Sequence, residues 1–378
     1  MFDSVMDRRG FLRLGVTTGA LALAASTMTK FSWADVRQVT LSECMAMSPE
    51  EMAKKSKRVM DSWDYLQKTA ATVKDAQVQK VITDILANPA PSFVEPLVRD
   101  NAKQAVWDEL KAGKLIDGVA LEAFLPPVQD PKKSPQPFFS APGSGYQSHH
   151  SYPGGLVTHT ALNLKVSLAL CEGYREIYGY ELDRDVVIAS QVLHDLHKPW
   201  VFQWNEDGAS RTELTLAGTG EHHPFSVAES IYRGLPAEVC VAQACAHNHP
   251  GFPKDEAQPV NWIKAAGIIV GVDPKAKQLL DKSGETLPLP RRMENFVCHL
   301  GDHDWVLSVP AVKWLLPELQ SIAVEKYKMT EQDLKGRKFN SLRNYVFSQA
   351  TAIALYHLYC TKGKAGLTAA VTEVVTPA

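Results

Sequence analysis

The residues able to do chemistry in this chain are histidines and aspartates spread between positions 159 and 273: His159, the adjacent pair His194-Asp195, His222-His223, His247-x-His249 and Asp273. A neutral imidazole offers a nitrogen lone pair and a carboxylate an anionic oxygen. Several of them converging from different helices bind a divalent cation and leave positions open for water and substrate. The pair is the sharpest element. Neighbouring helix residues point about 100° apart, so His194 and Asp195 address one centre only near a helix end or between two cations. They close the apolar run 186–193, where a buried carboxylate needs partners because leaving it unpaired is costly. Asp273 follows the apolar stretch 260–270 in Gly271-Val272-Asp273-Pro274, and the proline stops the helix and directs the carboxylate out of its end. Taken singly, each residue also has an ordinary reading: a helix-capping histidine beside a solvated aspartate, a surface histidine at 247 or 249, a turn aspartate at 273. His149 and His150 precede the set and are expected to line the cleft rather than to bind metal.

The segments that must position these side chains read as helices. Apolar residues recur at intervals of three and four over 156–171, 186–194, 225–232, 236–247 and 260–270, with little strand-like alternation. Gly234 and Pro236 supply the stop and start between two of them. The same periodicity covers 52–66, 73–86 and 93–115 upstream and 311–327 and 342–358 downstream, before a small-residue tail. The expected fold class is all-α. A Pro/Ser/Gly-rich stretch, 126–145, reads as a linker. It divides an N-terminal helical region (35–125) from a central domain (146–280), which a C-terminal helical region and tail (281–378) follow.

Tyr152-Pro-Gly-Gly-Leu-Val-Thr-His159-Thr, then Val192-Leu-His194-Asp195-Leu-His-Lys198, then Asp273 resemble the ordered H…HD…D pattern of the HD superfamily over roughly residues 146–275. The resemblance implies a helical bundle in which His159, His194, Asp195 and Asp273 ligate a divalent metal, and an activity on phosphate esters or phosphoanhydrides. Lys198 matches the lysine that commonly follows the HD pair, where a cation holds a phosphate oxygen or stabilises transition-state charge. Read alone, it is a helix-end lysine complementing the dipole. Members with two metals add histidines between the pair and the last aspartate. His222, His223, His247 and His249 are the candidates, and only one of His222 and His223 need bind. The implied cofactor is thus a divalent metal, mono- or dinuclear, with Mn, Fe, Mg, Ni, Co and Zn not distinguished. The segment His249-Pro-Gly251-Phe252-Pro253 resembles only weakly the Gly-Tyr-Pro signature of cyclic-dinucleotide phosphodiesterases, because Phe252 replaces the tyrosine.

The reaction so implied is attack on the phosphorus of a small phosphorylated substrate by a water whose pKa the metal has lowered. Asp195 and Lys198 are the residues expected to act in it, and His222, His223 or His249 would move protons. Two other readings share the ligand set: a di-iron oxygenase similar to myo-inositol oxygenase, and a non-catalytic, metal-stabilised binding module.

Composition bounds the rest. The 378 residues are 45% hydrophobic and 22% charged, with a formal charge of -2. These are globular values that exclude a disordered or fibrous chain and show no overall basic bias toward nucleic acid or anionic membrane. Asp7-Arg8-Arg9-Gly10-Phe11-Leu12-Arg13, the small-residue apolar stretch 14–28 and Ser32-Trp33-Ala34 resemble a twin-arginine export signal. The competing reading is a short core helix. Export through the twin-arginine translocation machinery to the periplasm or beyond would remove residues 1–34. Four basic and two acidic residues leave with them, moving the formal charge from -2 to -4. No stretch approaches the apolar length of a membrane span. Cys44, Cys171, Cys240, Cys245, Cys298 and Cys360 show no CxxC spacing, which argues against a zinc knuckle or thioredoxin-like site, and all six are expected to be buried packing residues.

Overall fold

Polar side chains placed just before apolar runs set the helix boundaries. The structure, a computed structural model, describes residues 32–98 and 102–377. The expected signal segment lies outside the described residues except for positions 32–34. The N-terminal helices are α1 (Leu41–Ala46), α2 (Pro49–Lys55), α3 (Lys57–Ala70), α4 (Ala76–Ala87) and α5 (Ala102–Ala112). Thr40 and Ser48 each form a reciprocal capping box with the glutamate three residues on, and Ser56 and Asp75 cap the next two helices. Each such oxygen satisfies amide groups that a helix start leaves unpaired. Ser56 thereby splits the segment 52–66 that periodicity alone reads as one helix.

The central helices are α6 (Gly155–Tyr178), α7 (Arg184–Leu193), α8 (Lys198–Val201), α9 (His222–Tyr232), α10 (Ala237–Ala244), α11 (Pro253–Val270) and α12 (Met293–Gly301). α13 (Trp305–Tyr327), α14 (Arg337–Ala350) and α15 (Ala352–Val374) complete the chain. The fold is all-α, with two short strand pairs among the described residues. β1 (Val39–Thr40) pairs in parallel with β4 (Val375–Thr376), so the expected small-residue tail is in fact α15 and a strand tied back to the start of the fold. β2 (Thr215–Leu216) and β3 (Thr219–Gly220) form a hairpin. Its two-residue turn, Ala217-Gly218, has positive φ at both positions, as a type I′ turn requires. The segment 342–358 divides at Thr351, whose φ is +59°.

Two apolar cores form. The larger joins α3 and α4 to α6, α7, α9, α10 and α11, so the N-terminal helices share a core with the histidine-bearing region. The stretch expected to be a linker is packed between them. Phe138 and Ala141 are buried, Gln136 donates to the carbonyls of Pro199 and Phe202, and Trp200 donates to the carbonyl of Pro127. The positions between these contacts, 127–137, stay partly or fully exposed. The second core packs α13, α14 and α15 with residues from α1, α2 and β1 and with Tyr152. Four cysteines are buried as expected, whereas Cys171 is half-buried and Cys360 exposed, and all six are free. Among the described residues, no helix is long and apolar enough to cross a membrane.

Candidate metal centre

Four helix ends and one helix face meet at the site. His159 lies on α6, whose start is reached through Gly154 (φ +86°). A Cβ on Gly155 would stand 1.8 Å from the His150 carbonyl oxygen, so only glycine lets the 143–150 loop cross the helix start this closely. His194 and Asp195 occupy the turn between α7 and α8, His222 and His223 open α9, and His247 follows α10. The turn after α12 supplies Asp302. A Cβ on Gly301 would lie 2.0 Å from Ser167 Oγ and 2.5 Å from Gln191 Nε2, so α12 ends in direct contact with α6 and α7. Gln191 secures the join by donating to Ser167 Oγ (2.8 Å) and to the Cys298 carbonyl (2.6 Å).

Asp195 is the hub, with no exposed surface. Its Oδ2 lies 3.1 Å from His194 Nε2, 3.4 Å from His159 Nε2 and 2.6 Å from Lys198 Nζ. Its Oδ1 lies 3.3 Å from His247 Nε2 and 3.6 Å from His222 Nε2. Asp302 Oδ1 is 3.1 Å from His159 Nε2 and 3.5 Å from His194 Nε2, while its Oδ2 is 3.7 Å from His247 Nε2. Asn163, one turn after His159, donates to Asp302 Oδ1 at 2.6 Å. Two donor groups result: His159, His194 and Asp302 on one side, and His222, His223 and His247 on the other. Asp195 turns one oxygen toward each.

The outer ring nitrogens decide what the inner ones carry. His194 Nδ1 lies 2.7 Å from the Gln191 carbonyl oxygen, His222 Nδ1 2.5 Å from Glu213 Oε2, and His223 Nδ1 3.0 Å from the Gly220 carbonyl oxygen. Those oxygens accept only, so each Nδ1–H donates, and Nε2 of the neutral ring carries a lone pair. For His194 and His222, that lone pair faces carboxylate oxygens. Such an arrangement needs a cation between the atoms or a proton on the ring. Asp195 Oδ1 and His159 Nδ1 are buried without a hydrogen bond, which costs about 1–3 kcal/mol for each group left unsatisfied. Nitrogen and carboxylate donors with fixed outer partners suit a divalent metal, and the shared Asp195 suits two.

Electrostatics differ between the two sides. Burial opposes a charged His194, yet Asp195 and Asp302 overcome it and push its pKa up to about 10. Burial also opposes ionisation of Asp195, but His194 and Lys198 hold its carboxyl well below the usual range. Asp302 is held down against burial by His194 and His159. On the other side, burial and the neighbouring rings of His222 and His247 push His223 well down, and burial lowers His247. Those rings stay neutral, as metal ligation needs.

The structure brings together His159, His194, Asp195, His222, His223 and His247, but not His249 or Asp273. His249 is turned toward His299, with ring centroids 5.0 Å apart, and its Nδ1 accepts from the Gly251 amide. Asp273 is exposed. α11 has already ended at Gly271 (φ +68°), and the Asp273 carboxylate accepts from the Lys275 amide at 2.9 Å, an ordinary turn contact. Asp302 stands where Asp273 was expected, so the central region extends through α12, beyond residue 280. The available signal was Gly301-Asp302-His303-Asp304 closing the apolar positions Phe296, Val297 and Leu300. Lys198 is buried rather than solvated, donates to the Gly143 carbonyl at 2.6 Å and forms an ion pair with Asp195 Oδ2, also at 2.6 Å. His149 and His150 line the cleft beside His159, with ring centroids 5.6 and 5.0 Å from it.

No family model and no solved structure matches the chain. Among curated proteins, the dihydroneopterin 2',3'-cyclic phosphate phosphodiesterase of Methanocaldococcus jannaschii is 36% identical over 99 residues, which cover 26% of this chain and 39% of that protein. The match therefore spans about two fifths of the relative's length.

Proposed function

We propose that the chain is an HD-type, metal-dependent phosphohydrolase that cleaves a small phosphate ester, phosphodiesters first among them, after export through the twin-arginine machinery. Asp195 is the observation that carries this reading. It is a buried carboxylate with one oxygen toward each of two imidazole groups, several of whose outer nitrogens are already committed. The partial similarity to a protein named as a cyclic phosphate phosphodiesterase supports the ester class.

His159, His194, Asp195 and Asp302 would hold one cation, and Asp195, His222 and His247, with His223 beside them, a second. Divalent cations bound there supply Lewis acidity toward phosphoryl oxygens and lower the pKa of water. The protein's own groups do the rest. Gln191 and Glu213 fix the tautomers of His194 and His222. Lys198 donates to the Gly143 carbonyl and is ion-paired with Asp195, which leaves its ammonium an N–H for a phosphoryl oxygen. His159, His194, Asp195 and Asp302 form a dry floor, where fixed charges act more strongly than in water. The partly exposed rings of His149, His223 and His247 mark the mouth.

The test uses protein stripped of metal and reloaded with Mn²⁺ under anaerobic conditions. It is assayed on bis(p-nitrophenyl) phosphate and on 2',3'-cyclic nucleotides. Turnover without oxygen is the expected result, because hydrolysis needs only Lewis acidity and an activated water. Absence of turnover on every ester, with oxygen consumption by the iron-loaded form, would transfer the reading to an oxygenase. Metal binding with neither activity would leave a binding module.

A further inference from the structure

We propose that His149, held in place by the His150 ring beside it, forms with the Lys198 ammonium the subsite that grips a phosphoryl oxygen of the substrate beside the metal centre. The inference rests on the phosphohydrolase reading above and assigns two residues that the metal centre does not use.

The 143–150 loop is shaped to present these rings. Gln147 (φ +63°) and His150 (φ +54°) both adopt the left-handed conformation, which residues with a Cβ rarely adopt without compensation. The His150 ring is pinned on both edges, by Asp304 Oδ2 at 2.6 Å from Nε2 and by the Tyr152 hydroxyl at 3.3 Å from Nδ1. It packs edge-on against His149, with ring centroids 5.3 Å apart. The two rings and His159 place nitrogen atoms within 4.8 Å of one another. His149 stands at the mouth with its ring partly exposed, yet its Nδ1 is buried and has no hydrogen-bond partner. An unused imidazole nitrogen beside a reaction centre is a group waiting for a ligand.

Charge chooses between an anion and a cation as that ligand. The Lys198 ammonium acts on all three rings. The nearby carboxylates are already engaged, Asp304 by His150 and Asp302 by His159 and Asn163. With two divalent ions in the centre and Lys198 adjacent, a further cation would add like charge, whereas a phosphoryl oxygen offsets it. A neutral His149 ring can donate an N–H to such an oxygen without changing protonation state.

The full chain, loaded with metal, is titrated with inorganic phosphate by calorimetry, and metal content is measured in parallel. His149→Ala is expected to keep the wild-type metal stoichiometry and helical content while binding phosphate about 10-fold or more weakly, the loss typical of a hydrogen bond to a charged group. His149→Asn, which retains an N–H donor, should recover part of that affinity. Wild-type phosphate affinity in His149→Ala overturns the subsite, and ester turnover retained in the same preparation leaves the phosphohydrolase reading standing. Loss of one metal equivalent in His149→Ala overturns it in favour of a third cation position. Failure of the wild type both to bind phosphate and to cleave any ester overturns both.

Discussion

Replacing Asp302 by asparagine distinguishes the centre built by α6, α7 and α12 from one completed by Asp273. The substitution keeps the shape of the side chain and removes its charge. In the native protein this carboxylate lies 3.1, 3.5 and 3.7 Å from three imidazole nitrogens, so under the proposed metal binding it would be one of two anionic donors on its side. Partners that merely orient a ligand are typically worth about 10- to 100-fold in metal affinity. Loss of an anionic ligand should therefore cost at least about 100-fold, or about 2.7 kcal/mol. Asp273→Asn should change nothing, because that carboxylate is exposed and its contact is to the Lys275 amide. A competition titration against a chelator gives the affinities, elemental analysis the stoichiometry, and circular dichroism shows whether each variant is folded. Asp302→Asn should also lower the pKa of His194 in the metal-free protein, since Asp302 is one of the two carboxylates that raise it. Loss of metal from Asp273→Asn with retention in Asp302→Asn would refute the reasoning.

Metal affinity should rise with pH, because the cation must displace the proton from a ring whose metal-free pKa is about 10 instead of 6.5. The protonated ring stabilises the metal-free fold fully below pH 6.5 and loses that effect as pH climbs through about 10. In that window affinity should tighten by up to about tenfold per pH unit, and a flat profile from titrations at successive pH values would exclude the linkage. Gly301→Ala should lower thermal stability by about 1–3 kcal/mol through overpacking against Ser167 and Gln191, and weaken metal binding by displacing Asp302. Gly173→Ala is its control: it sits in α6 with open space around the added methyl and should stabilise by about 0.5–1 kcal/mol, so an equal fall in melting temperature for both would refute the packing argument. Arg8→Lys with Arg9→Lys should keep the protein in the cytoplasm, because lysine does not reproduce guanidinium geometry, and fractionation showing undiminished export would remove the twin-arginine assignment.

Local patterning carried much of this protein. Apolar residues at intervals of three and four make a helix whatever surrounds it, and Ser48, Ser56 and Asp75 mark where helices start because capping is a contact between near neighbours. His159, His194, Asp195, His222, His223 and His247 were legible as donors from residue type and order, and the chemistry of an HD pair limits where such a pair can sit. Tertiary structure decided the rest. Asp273 and Asp302 both follow apolar segments and both satisfy the order of the motif, and only the glycine-sized contact of Gly301 with α6 and α7 delivers the second one to His159. The same holds for Lys198, which looks like a solvated helix-end residue until the 143–150 loop closes over it, and for the proline-rich stretch, whose Phe138 and Ala141 enter the larger core. These outcomes depend on contacts between segments far apart in the chain, whose distances are set by packing volume and by hydrogen-bond partners that no local spacing encodes.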